Sequence, residues 1–143
     1  MANEITVTVL DVRPLNGAVI RRAIATEALA FGDAVYIDSG SGRFPKVSKI
    51  LGGAVATCNP FGVVVAPQPD TMGGASVAAG ETCDVCVYGP VTGYSSMTPG
   101  ATLWASDTAG RLSSVVGTKS GVIGFAESAT VAFIRPGLFA VSS

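Results

Sequence analysis

The 143-residue sequence contains no histidine, and this absence removes several kinds of chemistry at once. The Ser-His-Asp and Cys-His catalytic arrangements cannot form, and every metal site with an imidazole ligand is excluded. Cysteine is also scarce, and because three residues are an odd number, a complete disulfide framework is excluded. We therefore expect a protein that is not an enzyme, with no catalytic residue, no metal and no cofactor.

Charge is also in short supply. Only 13% of the residues are charged, the net charge is −1, and the only adjacent basic pair, Arg21-Arg22, lies among apolar residues. A nucleic-acid partner needs a concentrated basic patch, so we expect none. Because so little charge limits the solvated surface, part of the apolar excess is expected to lie in an interface with another chain.

Long apolar runs are missing too. None reaches the roughly 18 residues that a transmembrane helix needs, so we expect no membrane partner. Residues 1–4 are acidic where a secretion signal would be basic. We therefore expect a soluble protein made in the cytoplasm.

What the chain does contain is many short apolar or alternating runs punctuated by 18 glycines and 8 prolines. This pattern predicts an all-β fold, a small barrel or sandwich of about nine to ten short strands without a helix. The expected strands and hairpins are 4–10, a strand starting near 18–20, hairpin 31–47, strands 61–66 and 81–87, hairpin 101–116, and strands 122–126 and 130–134.

An internal repeat runs through this pattern. Four pairs of residues are each separated by 68 positions: Gly32 and Gly100, Tyr36 and Trp104, Gly42 and Gly110, Arg43 and Arg111. An ungapped match predicts two copies of one hairpin unit, near 29–66 and 98–126, within a barrel-like domain of residues 28–143. The pattern leaves open whether the halves form one barrel or two lobes. We expect the two arginines to share a structural role.

Residues 1–27 form a separate N-terminal segment. Its alternating run is followed by the turn signal Asn16-Gly17, so the segment is either a hairpin packed on its own core or an extended arm. An arm would add a strand to the sheet of a neighbouring subunit, and deleting residues 2–12 would then weaken binding without unfolding the domain. The candidate partner-binding residues are Glu4, Ile5, Thr6, Val7, Thr8, Val9 and Leu10.

Two motifs resemble functional sites but lack the required context. Cys83 and Cys86 have C-x-x-C spacing, yet they lie in a predicted strand and Cys58 is alone, so we interpret them as buried structural side chains. Lys119 follows Thr118 where a phosphate-binding loop requires glycine, and no helix follows. We therefore interpret the loop around Lys119 as a polar turn.

The remaining candidates are carboxylates and aromatic residues. Asp38 and Asp107 fall in predicted hairpin turns, where local backbone hydrogen bonds explain them without catalysis. Tyr36 and Trp104 occupy equivalent repeat positions, and the chain after Pro136 is apolar. The candidate subunit-interface residues are Tyr36, Trp104, Leu138 and Phe139.

Several short phrases together resemble the small capsid cement proteins of tailed bacteriophages. The similarity covers about residues 28–135 and is carried by the following stretches. They are Leu29 to Tyr36, Gly62 to Ala66, Gly80-Glu81-Thr82 with Val85, Val87 to Val91, Gly100 to Trp104, Ala109 to Leu112, Ile123 to Ala126 and Val131 to Ile134. Some members of that family carry an old recombinase-like label, but nothing in this sequence supports ATP binding.

The resemblance implies a head decoration protein on the outer surface of the virion. It would bind major capsid proteins of the mature, expanded shell as a homotrimer at three-fold and quasi-three-fold positions, and clamp neighbouring capsid subunits. Two alternatives remain. One is another phage structural β-domain, from a tail tube or baseplate, which would assemble into closed rings. The other is a carbohydrate-binding module or hydrolase, which requires an exposed aromatic platform or a carboxylate pair.

Overall fold

In a computed structural model of the chain, the structure describes residues 4–8, 11–40, 43–51, 60–66, 76–116, 118 and 121–136. These residues form fourteen strands and no helix, which confirms the all-β prediction. Several strands have only two residues, so the number exceeds the nine or ten expected. Within the described ranges, no helix has the length and apolar character needed to span a membrane.

The strands have the following bounds. They are β1 (Thr6–Val7), β2 (Arg13–Pro14), β3 (Val19–Ala25), β4 (Leu29–Ala30), β5 (Ala34–Ser39), β6 (Lys46–Lys49), β7 (Gly62–Val65), β8 (Ser76–Val77), β9 (Thr82–Thr92), β10 (Tyr94–Ser95), β11 (Thr102–Ala105), β12 (Leu112–Ser113), β13 (Val122–Ala126) and β14 (Val131–Ile134). Core positions are filled mainly by aliphatic side chains; the largest with essentially no exposure are Leu29, Ile50, Leu103, Leu112, Ile123 and Ile134.

Strand β9 connects the two halves of the molecule because it belongs to two sheets. Its first half pairs with β3 on one side and β7 on the other, and the pairings β3–β6, β6–β5 and β5–β7 close a five-stranded barrel. Its second half pairs with β14, in a second sheet ordered β12-β11-β13-β14-β9, and with β2 on the other side. The change occurs at Gly89, whose φ is +116°.

The two hairpin units expected from the 68-residue spacing have equivalent strand register. Ala34 and Val35 pair with Val63 and Gly62, while Thr102 and Leu103, each 68 positions later, pair with Phe125 and Gly124. Each unit then continues to a further strand, β7 to β9 and β13 to β14. The units touch where Gly110 of the second hairpin donates its N–H to Ile50 O and accepts from Ala34 N, at 2.7 and 2.9 Å.

Gly62, which starts β7, and Gly124, which lies inside β13, have the same structural role in the two units. A Cβ on Gly62 would lie 2.2 Å from the carbonyl oxygen of Cys86, and one on Gly124 would lie 2.0 Å from that of Phe133. Neither distance is compatible with a side chain, so glycine allows the neighbouring strand to approach this closely.

Two local predictions are wrong. The N-terminal run does not form a hairpin with the strand after Asn16-Gly17, because β1 pairs with β10 whereas β3 pairs with β9 and β6. The strand expected over 81–87 also runs further than predicted, because β9 continues through Gly89-Pro90 to Thr92. Pro90 stays in the sheet, with Phe133 as its register partner, and its carbonyl accepts from Leu15 N at 2.9 Å, so the missing N–H of proline is tolerated.

Candidate functional site

The N-terminal strand lies in a seat made by the second sheet. Thr6 and Val7 pair with β10, the continuation of β9, while Glu4 forms a bridge with Ser113 of β12. On that second side, Ile5 N donates to Leu112 O at 2.8 Å. Residues 4–8 thus have partners in both β10 and β12, and they join the two ends of the second sheet.

Side chains in this segment divide cleanly between the two faces. Ile5 is only 6% exposed, and Cγ1 of the half-buried Val7 would lie 2.7 Å from a Cβ on Gly32. Thr6 and Thr8 are exposed. Val9 and Leu10 lie outside the described residues. In this position the side of the segment that faces solvent is the one that carries Thr6 and Thr8.

Arg111 binds the N-terminal segment through a side-chain hydrogen bond. Its Nη2 donates to Ile5 O at 2.9 Å, and its buried Nε has no hydrogen-bond partner among the described residues. Arg43, its repeat equivalent, lies with its guanidinium carbon 5.9 Å from the ring centroid of Phe44. The predicted shared role of the two arginines is therefore wrong, because only Arg111 has the N-terminal strand to bind.

Asp33 and Tyr94 lie beside this arginine at the junction of the two units. Burial raises the pKa of Asp33 above its ordinary value of 3.8, against the opposing effects of a hydrogen bond from Ala30 N and the charges of Lys49 and Arg111. Burial also raises the pKa of Tyr94, whose hydroxyl donates to Gly32 O at 3.1 Å. The cluster links the barrel to the second sheet.

The raised pKa of Asp33 gives stability a defined pH dependence. Because the folded-state pKa lies above the unfolded value, the folded protein holds this proton more tightly, and the free energy of unfolding falls as pH rises through the folded pKa. We therefore expect that the free energy of unfolding of Asp33→Asn, measured by urea denaturation relative to that of the wild type, rises from about pH 4 to pH 7. A difference that is independent of pH would contradict this assignment.

An aromatic row crosses the outer surface of the second sheet. The rings of Phe125 and Phe133 stack with centroids 5.1 Å apart and planes at 18°, and Tyr88 meets Phe133 edge-on at 5.2 Å and 84°. Tyr88 is 49% exposed and pairs with Val19, itself 47% exposed. We call Tyr88, Phe125 and Phe133 the aromatic row; Tyr88 is exposed, and Phe125 and Phe133 are half-buried.

The candidate interface residues lie in different places. Trp104 is half-buried on β11, where alternation puts it on the outer face with Thr102, the register partner of Phe125. Tyr36 is half-buried and packs on the core of the barrel, away from the row. Leu138 and Phe139 lie outside the described residues, and their assignment to an interface stays a prediction. Sequence reasoning missed the aromatic row, since its members are adjacent only through strand register.

A cavity of about 400 Å³ opens at one end of the row, lined by Phe125, Thr102, Val122 and Arg135 among others. A sugar-binding platform presents flat ring faces to solvent. Here Phe125 and Phe133 stack on each other, so one face of each ring is covered by its neighbour. The row therefore suits contact with another protein surface better than stacking with a sugar.

The C-x-x-C pair has no features of a redox or metal site. Cys83 and Cys86 are 4% and 0% exposed, and burial raises the pKa of each thiol to about 11. Residues three apart in a regular strand point to opposite faces, so β9 is covered on one face at Cys83 and on the other at Cys86. No group of three or more metal-ligating side chains occurs within the described ranges.

The two thiols should accordingly be unreactive. In a Cys58→Ser variant at about pH 8, we expect negligible labelling of Cys83 and Cys86 by a thiol reagent until denaturant is added, because the reactive species is an exposed thiolate. Release of the chromophore from Ellman's reagent measures this directly. Rapid reaction of the native protein would contradict the structural role assigned to these cysteines.

Asp107 lies in a turn as the sequence predicts, whereas Asp38 lies in strand β5 and not in a turn. Asp107 accepts hydrogen bonds from the backbone N and hydroxyl of Thr118, at 2.9 and 2.7 Å, and these bonds lower its pKa. Asp38 accepts a hydrogen bond from the Ser48 hydroxyl at 3.2 Å. Both carboxylates are thus explained by local structure.

Comparison with known proteins identifies one family. The sequence matches the family model described as structural cement protein (E217 gp24/Pam3 gp6) over residues 12–140. Among solved structures, the chain is similar to the crystal structure of the head fiber gp8.5 N base in bacteriophage phi29, with 13% identity, a TM-score of 0.45, and coverage of 88% of this chain and 99% of that chain. A search of curated proteins found no match.

Proposed function

Because this chain belongs to the family of phage structural cement proteins, we propose that it binds the outer surface of the mature, expanded head and holds neighbouring major capsid subunits together. The observation that carries this proposal is the family match over residues 12–140, which includes the barrel and the second sheet. Attachment would place the protein on the outside of the virion.

The physical character of the fold supports this role. A cement needs contact area and shape complementarity, not a reacting group, and the described surface offers apolar side chains with little charge. If the protein binds the expanded shell more tightly than the unexpanded one, mass action stabilises the expanded state. We propose that it acts without catalysis, cofactor or nucleic acid.

We further propose that the protein acts as a homotrimer at three-fold and quasi-three-fold positions, with residues 4–10 as one contact with the shell or a neighbouring subunit. The structure limits how that contact is made. The segment already pairs with β10 through Thr6 and Val7 and bridges to β12 through Glu4, so the seated segment would bind through its exposed Thr6 and Thr8 side chains. Addition of a strand to a capsid sheet would require β1 to leave its seat first.

Binding to purified shells tests the function. Expanded heads lacking this protein should co-sediment with it and saturate at a fixed number of copies per shell, whereas unexpanded shells should bind much less. Heat-denatured protein is the matched control for nonspecific adsorption. Equal binding to both shells, or no saturation, would overturn the proposal.

A further inference from the structure

The aromatic row has an opposite charge at each end. By strand alternation, the exposed Glu127 shares the face of Phe125 at the turn between β13 and β14, and the exposed Arg135 shares the face of Phe133 at the other end of the hairpin. Arg135 N donates to Ile123 O, so Arg135 lies beside Ile123 on the neighbouring strand. Ile123 is four positions from Glu127. At the rise of a β-strand, the two charges are about 13 Å apart.

From this arrangement we propose that the aromatic row is a self-pairing surface, on which a second copy of this chain packs face to face about a two-fold axis. Placing the axis at the Phe125–Phe133 pair brings Glu127 of each copy opposite Arg135 of the other, so the complementary contact occurs twice. A face-to-face arrangement with the hairpins parallel would put like charges together. Charge complementarity therefore selects the antiparallel arrangement, in which the two-fold axis runs across the hairpin strands.

The ring geometry suits this partner. The two stacked rings stand side by side on one face of the sheet, and two such pairs related by a two-fold axis can interdigitate as the inner faces of packed sheets do. The centre of the row is apolar and its ends are charged, which is the usual composition of a protein interface. The row is small beside the roughly 800 Å² per partner of a tight complex, so we expect weak association.

Attachment to a shell would strengthen weak pairing between two copies of the protein. Neighbouring three-fold positions of an icosahedral lattice are related by local two-fold axes, so this surface would join copies held at adjacent positions. This last step rests on the proposed attachment to the head, where tethering raises the effective concentration of each copy for its neighbour. The pairing itself is a property of the free protein and is tested there.

Sedimentation equilibrium of the purified protein, up to about 1 mM, tests the proposal. We expect the mass of the basal species to double as concentration rises. Glu127→Arg or Arg135→Glu alone should weaken pairing about tenfold, since each reversal creates two like-charge contacts. The double variant should restore pairing, because it exchanges the charges and regenerates both attractive contacts. Arg43→Glu, an exposed reversal in the other hairpin, is the matched control and should have no effect.

Three results would overturn the inference. They are no mass doubling, single reversals without effect, or a double variant as weak as the single ones. Thermal melting of each variant excludes unfolding as the cause. If shells bind the protein although it does not pair, only this inference fails; if it pairs but ignores shells, only the proposed function fails.

Discussion

Gly62→Ala and Gly124→Ala are each expected to destabilise the fold by about 3 kcal/mol or more, enough to leave much of a marginally stable domain unfolded. The added methyl group would lie within 2.2 Å of a backbone carbonyl oxygen in either case. A carbonyl in the middle of a sheet has no rotamer to change, so relief requires separating two paired strands. Solubility and urea denaturation of the purified variants measure the effect.

Gly40→Ala is the matched control for these substitutions. A Cβ at Gly40 meets no atom within 4 Å, and its φ is not positive, so we expect stability to change by less than about 0.5 kcal/mol. If Gly62→Ala and Gly124→Ala were as stable as the control, the close strand approach in both repeats, and with it the equivalence of the two units, would be wrong.

Truncation of Ile5, the buried side chain that anchors the N-terminal segment, is the second substitution for which we expect a large effect. Ile5→Ala should cost about 2 kcal/mol, near the lower end for a buried isoleucine because a terminal strand also opens locally. Loss of the Ile5 side chain weakens the contacts of the N-terminal segment with Leu112 and Arg111. Hydrogen exchange should show faster exchange in β10 and β12, with the barrel unaffected.

Thr6→Ala is the neighbouring control, since Thr6 is exposed and should contribute less than about 0.5 kcal/mol. Equal stability of the Ile5 and Thr6 variants would show that the segment is not seated. Deleting residues 2–12 no longer separates binding from folding, because the deletion also removes Val12, which is completely buried. Changes at Thr6 and Thr8 test partner contact without that complication.

Local patterns were enough to predict much of the fold. Alternation and glycine turns indicated the paired strands of both hairpins, and the 68-residue spacing indicated that the hairpins are equivalent. These features are short-range, because a turn and its flanking strands are encoded within about 20 residues. The pattern placed Asp107 correctly in a turn, but it missed that Asp38 lies in β5 and accepts from Ser48 on the paired strand.

What the pattern could not predict depends on long-range register. The partners of β1 lie about 90 to 110 positions away, so nothing near Ile5 indicates its seat. Strand β9 passes through Gly89-Pro90 because flanking strands tolerate the missing N–H, although the dipeptide is normally a strong turn signal. The aromatic row likewise assembles from β9, β13 and β14, whose adjacency appears only in the folded sheet.

The most direct test of the cementing role is the heat stability of expanded heads that lack this protein, measured by light scattering or DNA release with and without saturating amounts of it. We predict that adding the protein raises the temperature of disruption and that Ile5→Ala, with its weakened second sheet, raises it less than Thr6→Ala does. Saturating binding with no change in that temperature would contradict the account, because the protein would then decorate the shell without holding it together.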